Sequence, residues 1–324
     1  MLILAGDIGG TNTRLSLSAS NDSQSSPSVI REETYPSDKD GLVPIVQKFL
    51  GHDTRPDKAC FAVAGPVLNN KCKITNLPWA ELDGEILQQE LGISKVALIN
   101  DFVAVGYSIV FEENKNLLTL QTGEYIQDAP IAIIGAGTGL GKAFAIPQGD
   151  SFQVFPTEGG HQNFAPSDAL SRELLDYLGF YGVIDVERVV SGPGIVSIFR
   201  FLRDRKFTRE NDGDFLLQSD PASAIAKGAA EGNFLCQRTM EIFIEAYGSA
   251  VGDAVVSLLP FGGVYIAGGI AAQNTALMSS GIFINALKKK ARVNVSLLDK
   301  VPVHIVLDTL EGLRGAVKYA HYKI

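Results

Sequence analysis

Two glycine-rich turns and a few carboxylates hold most of the chemical information in this chain. The first turn, Gly6-Asp7-Ile8-Gly9-Gly10-Thr11, follows the apolar run Leu2–Ala5. Glycines let a backbone come close to an anion, and Thr11 adds a hydroxyl donor, so the segment suits a phosphate. Asp7, at the end of the run, could hold the water shell of Mg²⁺, a cation that usually keeps part of its hydration. The segment lacks the GxxxxGK[ST] of a P-loop and a GxGxxG that opens a helix, and a tight hairpin without any ligand is the plain alternative. The second turn, Gly135-Ala136-Gly137-Thr138-Gly139-Leu140-Gly141, has four glycines in seven residues. That composition costs conformational entropy unless close approach is needed. A third pair, Gly268-Gly269, would suit either the passage of a flat adenine ring or a simple strand-to-helix turn.

Asn100-Asp101 ends one apolar run and opens a helical one. Asp101 reads either as a helix N-cap or as a general base that takes a hydroxyl proton in phosphoryl transfer, and a helix N-terminus favours its ionised form. Glu158-Gly159-Gly160-His161 brings a carboxylate and an imidazole to one flexible turn, an acceptor and donor set suited to neighbouring sugar hydroxyls. His161 could equally be a structural histidine, and no second His or Cys nearby has the spacing of a metal ligand. For Glu187, spacing alone favours a solvated helix face with an internal Glu–Arg pair.

The elements that must position these residues alternate. Leu2–Ala5, Arg14–Ser18, Val29–Tyr35, Lys58–Ala64, Val96–Ile99, Val264–Ala267 and Pro302–Leu307 read as strands, with a turn over Ser18–Ser28. Helices are expected over Pro44–Leu50, over Glu81–Leu91 stopping at Gly92, from Asp101, from Ser167 as N-cap, from Pro193, over Pro221–Gly232 and Asn233–Leu259, and at the C-terminus. Asp204–Asp214 reads as a charged loop. The mixture indicates an α/β fold. Each glycine-rich turn joins two strand-like runs, a weak internal repeat that chance similarity of two hairpins could also produce. A genuine repeat would give two similar halves that present opposed loops across a cleft.

The 324 residues are 46% hydrophobic and 20% charged, enough for a large core and about two domains. A net charge of −8 argues against a nucleic-acid partner. Cys60, Cys72 and Cys236 form no CxxC pair, which suits a reducing cytosol. Residues 254–287 carry no charge, but Pro260, Gly262-Gly263 and Gly268-Gly269 interrupt them, so a buried helix, a turn and a core strand are expected there and no membrane span.

Eight segments in order, GDIGGTNTRL, AVAGPV, ITNLPW, LINDFVAV, GAGTGLG, TEGGHQNFAP, ERVVSGPG and GGVYIAGGI, resemble the bacterial glucokinase family. That family lies within the actin-like, ribonuclease H-like superfamily of hexokinase-type sugar kinases. The resemblance implies a duplicated two-domain α/β fold with an interdomain cleft, divided as 1–105 plus 303–324 and 106–302. It implies ATP and glucose as substrates, Mg²⁺ with the ATP, a homodimer and a cytoplasmic location. Position by position, it makes Asp101 the base for the glucose 6-hydroxyl. Asn100, Glu158, His161, Glu187, Gly65 and Asn76 become sugar-binding residues. Gly6, Asp7, Ile8, Gly9, Gly10, Thr11, Gly137, Thr138, Gly268 and Gly269 become ATP-binding residues. Asn163 stands where many members carry an acid, and Arg314 where an apolar residue is usual. The repressor-and-kinase sugar family shares E-x-G-H but adds a cysteine cluster that this chain lacks. Another hexose as acceptor, a non-sugar actin-like ATPase and a non-catalytic sugar sensor are the rival readings.

Overall fold

Each glycine-rich turn closes a β-hairpin, and each hairpin belongs to its own sheet. The computed structural model describes residues 1–21, 26–37, 41–74, 77–111, 116–149, 151–179, 182–207, 214–290 and 294–324. The chain divides into two units: Met1–Lys115 with Val154–Pro156 and Leu310–Ile324, and Asn116–Gln153 with Thr157–Thr309.

In the first unit, β1 (Leu2–Ile8) and β2 (Asn12–Ala19) pair antiparallel, with Ile8 opposite Thr13. β3 (Ser28–Pro36) extends the meander along the outer edge of β2. After α1 (Leu42–Leu50), β4 (Lys58–Val63) lies parallel to β1. A short ladder of β5 (Lys71–Cys72) and β6 (Leu82–Asp83) precedes α2 (Gly84–Leu91). β7 (Lys95–Asn100) then adds parallel to β4 and runs straight into α3 (Asp101–Phe111). The sheet order is β3-β2-β1-β4-β7. β4 and β7 are buried along almost their whole length, which explains why they read as continuous apolar runs rather than alternating ones.

The second unit opens with β8 (Leu117–Gln121), then repeats the antiparallel meander as β9 (Ile131–Ala136), β10 (Leu140–Gln148) and β11 (Ser151–Thr157). Helices α4 (Ala169–Gly179), α5 (Gly192–Asp204), α6 (Pro221–Ala230) and α7 (Phe234–Leu258) follow. Strand β12 (Val264–Ala267) lies parallel to β9. The short helices α8 (Gly269–Gln273), α9 (Thr275–Met278), α10 (Ile282–Lys288) and α11 (Val295–Leu298) lead to β13 (Val303–Val306), parallel to β12. The order β11-β10-β9-β12-β13-β8 contains the first sheet's pattern, three antiparallel strands and then two parallel ones, with β8 added at the edge. The sequence repeat is therefore a repeat of topology.

The chain closes with α12 (Glu311–Tyr322), which returns to the first unit and packs on α3 and β1. A methyl group at Gly315 would stand 1.7 Å from the Ala104 carbonyl oxygen, so only glycine lets these two helices meet.

Three local expectations change. The helix expected from Glu81 begins at Gly84, because Leu82 and Asp83 pair with Lys71 and Cys72. The Asp83 side chain then accepts the Glu85 N–H at 2.9 Å as the cap. The cap expected at Ser167 belongs to Asp168, whose Oδ1 accepts the Ser171 N–H at 2.7 Å. Glu187 lies outside any helix, between the segments that lead into α5. The uncharged stretch 254–287 is the end of α7, β12 and three short helices, and among the described residues no helix is long and apolar enough to cross a membrane.

Candidate active site

In an open sheet, ligands gather at the C-terminal ends of parallel strands, where loops diverge. In the first unit that edge is set by register: Ile8 pairs with Val63, and Val63 with Asn100. Asp7, Gly65, Asn100 and Asp101 therefore come to one end of one sheet. Asn100 is only 9% exposed, and both ends of its side-chain amide are engaged. Its Oδ1 accepts the Phe102 N–H at 2.9 Å and the Val103 N–H at 3.3 Å, while its Nδ2 donates to the Gly65 carbonyl at 3.1 Å. Asn100 thus caps α3 and ties β7 to the turn after β4. Asp101 is the first residue of the helix, half-buried, and its Oδ1 also accepts the Phe102 N–H at 2.9 Å. The capping role that spacing offered to Asp101 falls largely to its neighbour. Cys72 lies within reach of this charge: burial first, and then the Asp101 carboxylate, push its thiol pKa up.

Gly6, Asp7 and Ile8 belong to β1, and the turn proper is Gly9-Gly10-Thr11. A methyl at Gly6 would lie 2.6 Å from Phe61, so packing inside the sheet accounts for that glycine. The turn is pinned from β3's end: Ser37 Oγ donates to the Gly9 carbonyl at 2.7 Å and the Ser37 N–H to the Thr11 carbonyl at 2.8 Å. Asp7 Oδ2 accepts from Arg14 at 3.2 Å, and Gly312 at the start of α12 packs against the carboxylate. Burial raises the Asp7 pKa against the opposing pull of Arg14. A carboxylate whose charge is this poorly solvated gains from a cation, and a single such oxygen ligand suits a metal that keeps its waters. Asp7 therefore fits Mg²⁺. Asn76 lies outside the described residues.

The second unit carries the remaining candidate residues. Glu158 precedes the 3₁₀ turn Gly159–His161, and its carboxylate stands 3.9 Å from His161 Nε2. Both side chains are more than half exposed. His161 Nδ1 bonds Asp185 Oδ2 at 2.9 Å. That bond is the main cause raising the imidazole pKa, with burial opposing it and the Glu187, Asp185 and Glu158 charges adding to it. Glu187 Oε2 accepts the Leu140 N–H at 2.7 Å, and the Glu187 N–H donates to the Gly160 carbonyl at 3.0 Å. This residue thus ties the second glycine-rich turn to the Glu158–His161 turn. A methyl at Gly139 would stand 2.5 Å from Glu187 Oε2, which explains that glycine. Among the described residues, none beyond Gly137's own chain neighbours comes within 4 Å of a methyl position there, so packing does not explain this glycine. Gly268 is explained by the Ala136 carbonyl, 2.7 Å from its methyl position, and by its left-handed φ of 91°.

A cleft of about 360 Å³ opens beside Gly137 and Thr138, walled by Pro193, Val196, Ala222 and Ile270 with Asp220 and Gln273 as polar groups. That size suits a nucleoside. Its floor is held by the Gly192 N–H, which donates to the Gly137 carbonyl at 2.8 Å, and by the buried Tyr247 hydroxyl, which accepts the Ala136 N–H at 3.1 Å. Of these wall residues the sequence marks Pro193 only as a helix start within ERVVSGPG and Ile270 only as the end of GGVYIAGGI, and neither Asp185 nor Tyr247 stands out. A further available signal was Asp220-Pro221, a helix-opening pair, because Asp220 caps α6 by accepting the Ser223 N–H at 3.1 Å.

Comparison with known proteins adds the family. A family profile described as glucokinase matches residues 4–323. The chain is 46% identical to a glucokinase of Trichormus variabilis, over 97% of both chains. It is 32% identical to one of Yersinia enterocolitica, over 99% of this chain and 97% of that one. Among solved structures, a glucokinase from an Antarctic psychrotroph superposes with a TM-score of 0.81 at 28% identity, covering 99% of this chain and 98% of the other. A Balamuthia mandrillaris glucokinase, solved in complex with glucose, gives 0.80 at 21% identity over 98% and 93%, a likeness of fold.

Proposed function

The chain belongs to the glucokinase family of ATP-dependent glucose kinases, and on that premise we propose how its residues divide the work. Asp101 accepts the proton of the glucose 6-hydroxyl as that oxygen attacks the γ-phosphorus of ATP. The new O–P bond forms as the bond to the β-phosphate oxygen breaks, and the products are glucose 6-phosphate and ADP. Such transfers depend on positioning and charge neutralisation more than on covalent chemistry. Asn100, Gly65, Glu158, His161 and Glu187 hold the remaining hydroxyls, with Asn76 assigned alongside them from the family pattern. Gly6 to Thr11 and Gly137-Thr138 take the phosphates, and the cleft next to Gly137 takes the nucleoside, with Gly268-Gly269 at its border through Ile270. Mg²⁺, held through water by Asp7, would neutralise phosphate charge.

The observation that carries this reading is the division of labour between Asn100 and Asp101. Because Asn100 caps α3 and grips Gly65, the adjoining Asp101 carboxylate, whose Oδ1 also accepts the Phe102 N–H, is held at the helix mouth. A cytoplasmic homodimer serving glycolysis completes the proposal. The decisive experiment supplies Mg·ATP and a panel of hexoses, then locates the phosphate by NMR. Glucose 6-phosphate as the main product supports the reading. Preference for another hexose, or hydrolysis indifferent to sugar, contradicts it. Light scattering tests the dimer.

A further inference from the structure

We infer that Asp185 is a positioning residue for sugar recognition, acting through His161; the inference rests on the glucokinase reading above. Residues 184–187 run antiparallel along 160–164. The Phe164 N–H donates to the Ile184 carbonyl at 2.9 Å, Val186 N–H to Gln162 at 2.8 Å, and Glu187 N–H to Gly160 at 3.0 Å. An isolated bridge joins Asn163 and Asp185 in the same ladder. Asp185 is therefore held at a fixed height beside the Glu158–His161 turn. Its two oxygens have separate tasks. Oδ1 accepts the Arg188 N–H at 2.9 Å, which locks the carboxylate, and Oδ2 faces His161 Nδ1 at 2.9 Å.

A carboxylate only accepts, so Nδ1 must carry the proton in this pair. The partner of one ring nitrogen fixes the role of the other. Nε2 becomes the working atom, and it lies on the Glu158 side of the ring, 3.9 Å from that carboxylate. A sugar hydroxyl placed there donates to a neutral Nε2, or accepts from it once the ring is protonated, while a neighbouring hydroxyl donates to Glu158. Without Asp185 the proton could sit on either nitrogen and the ring could turn, so the sugar would meet a mixture. The charged groups acting on the ring are Asp185, Glu187 and Glu158, all acidic, and they favour the protonated form. The pair is partly solvent-exposed, at 56% and 30%, and ion pairs that solvent reaches add little to stability. Its worth must therefore be sought in recognition.

The test uses full-length protein labelled with ¹⁵N-histidine. Its four histidines, His52, His161, His304 and His321, give few enough signals to assign with a His161→Gln variant. Wild type, Asp185→Asn and Asp185→Ala are compared across about pH 5 to 9 around the ordinary histidine pKa. Asn keeps an acceptor and loses the charge; Ala loses both. The expected result is an Nδ1–H tautomer in wild type, titration moved to lower pH in both variants, and mixed tautomers in Asp185→Ala. KM for glucose should rise roughly tenfold in Asp185→Ala and less in Asp185→Asn, with kcat and KM for ATP nearly unchanged. Unaltered His161 tautomer and titration in both variants would overturn the inference. So would an equal loss in glucose and ATP parameters, the mark of a purely structural residue. Wild-type protein that makes no glucose 6-phosphate would instead overturn the enzymatic reading, and the tautomer comparison would still decide whether Asp185 orients the ring.

Discussion

The two sheets share a strand order but finish their parallel strands differently. In the first unit, β1, β4 and β7 end on Asp7, Gly65 and Asn100-Asp101, so that edge offers carboxylates and an amide. In the second, β9 and β12 end on Gly137 and Gly268, so that edge offers bare backbone. The polar side chains of the second unit come from outside its repeat, Glu158 and His161 after β11 and Glu187 before α5. One scaffold has thus been used twice with different chemistry at the strand ends. On the proposed reading, side chains move protons and would hold a hydrated metal in one unit, and glycines admit a phosphate in the other.

The comparison can be broken in several places. The largest effect on binding is expected for Glu158→Ala, which on the proposed reading removes a charged hydrogen-bond acceptor from the sugar. Glucose affinity should fall by about 1.5–3 kcal/mol, roughly 10- to 150-fold, with nucleotide affinity kept. Calorimetric titration of each ligand checks this, and equal losses would contradict the division. Next is Gly315→Ala, which forces a methyl onto the Ala104 carbonyl and should destabilise the first unit by about 1–3 kcal/mol in denaturant titration. Below the unfolding transition, a nucleoside analogue without phosphates should still bind with wild-type affinity, because the cleft beside Gly137 is lined by second-unit residues.

Ser191→Ala reverses the logic. Ser191 caps α5 by accepting the Gly194 N–H at 3.1 Å, beside the Gly192 bond to the phosphate turn. Its loss should lower stability by about 1 kcal/mol and weaken nucleotide binding more than glucose binding.

The smallest effect concerns Asp7. Its folded pKa is raised by burial, so its contribution to stability is fully present below the unfolded carboxylate pKa and is lost as pH rises through the folded value. Asp7→Asn should accordingly raise the melting temperature slightly at neutral pH, and that gain should vanish in acid. The same variant should need more Mg²⁺ for turnover. A gain that persists in acid would remove burial of the charge as its cause.

How far the site was legible depends on sequence distance. Gly6 to Thr11, Gly135 to Gly141 and Asn100-Asp101 are local patterns, and each reading of strand, turn and helix start needs only neighbours. Which Gly6–Thr11 glycines serve the turn was not legible, because Gly6 answers to Phe61 across the sheet. Spacing alone puts Glu187 on a helix face, because its partner, the Leu140 N–H, is 47 residues away. Asp185 was invisible for the same reason, its imidazole partner being 24 residues back. The cleft beside Gly137 gathers residues from α5, α6 and α8, and no periodicity in one segment reports a wall built from three.

The proposed proton-accepting role of the first unit is tested most directly by Asp101→Asn, measured twice on the same preparation. Calorimetry should find glucose bound within about twofold of wild type, while turnover with Mg·ATP falls roughly 10²- to 10⁴-fold. Turnover within a few-fold of wild type would show that the proton leaves the sugar by another route and would contradict the account.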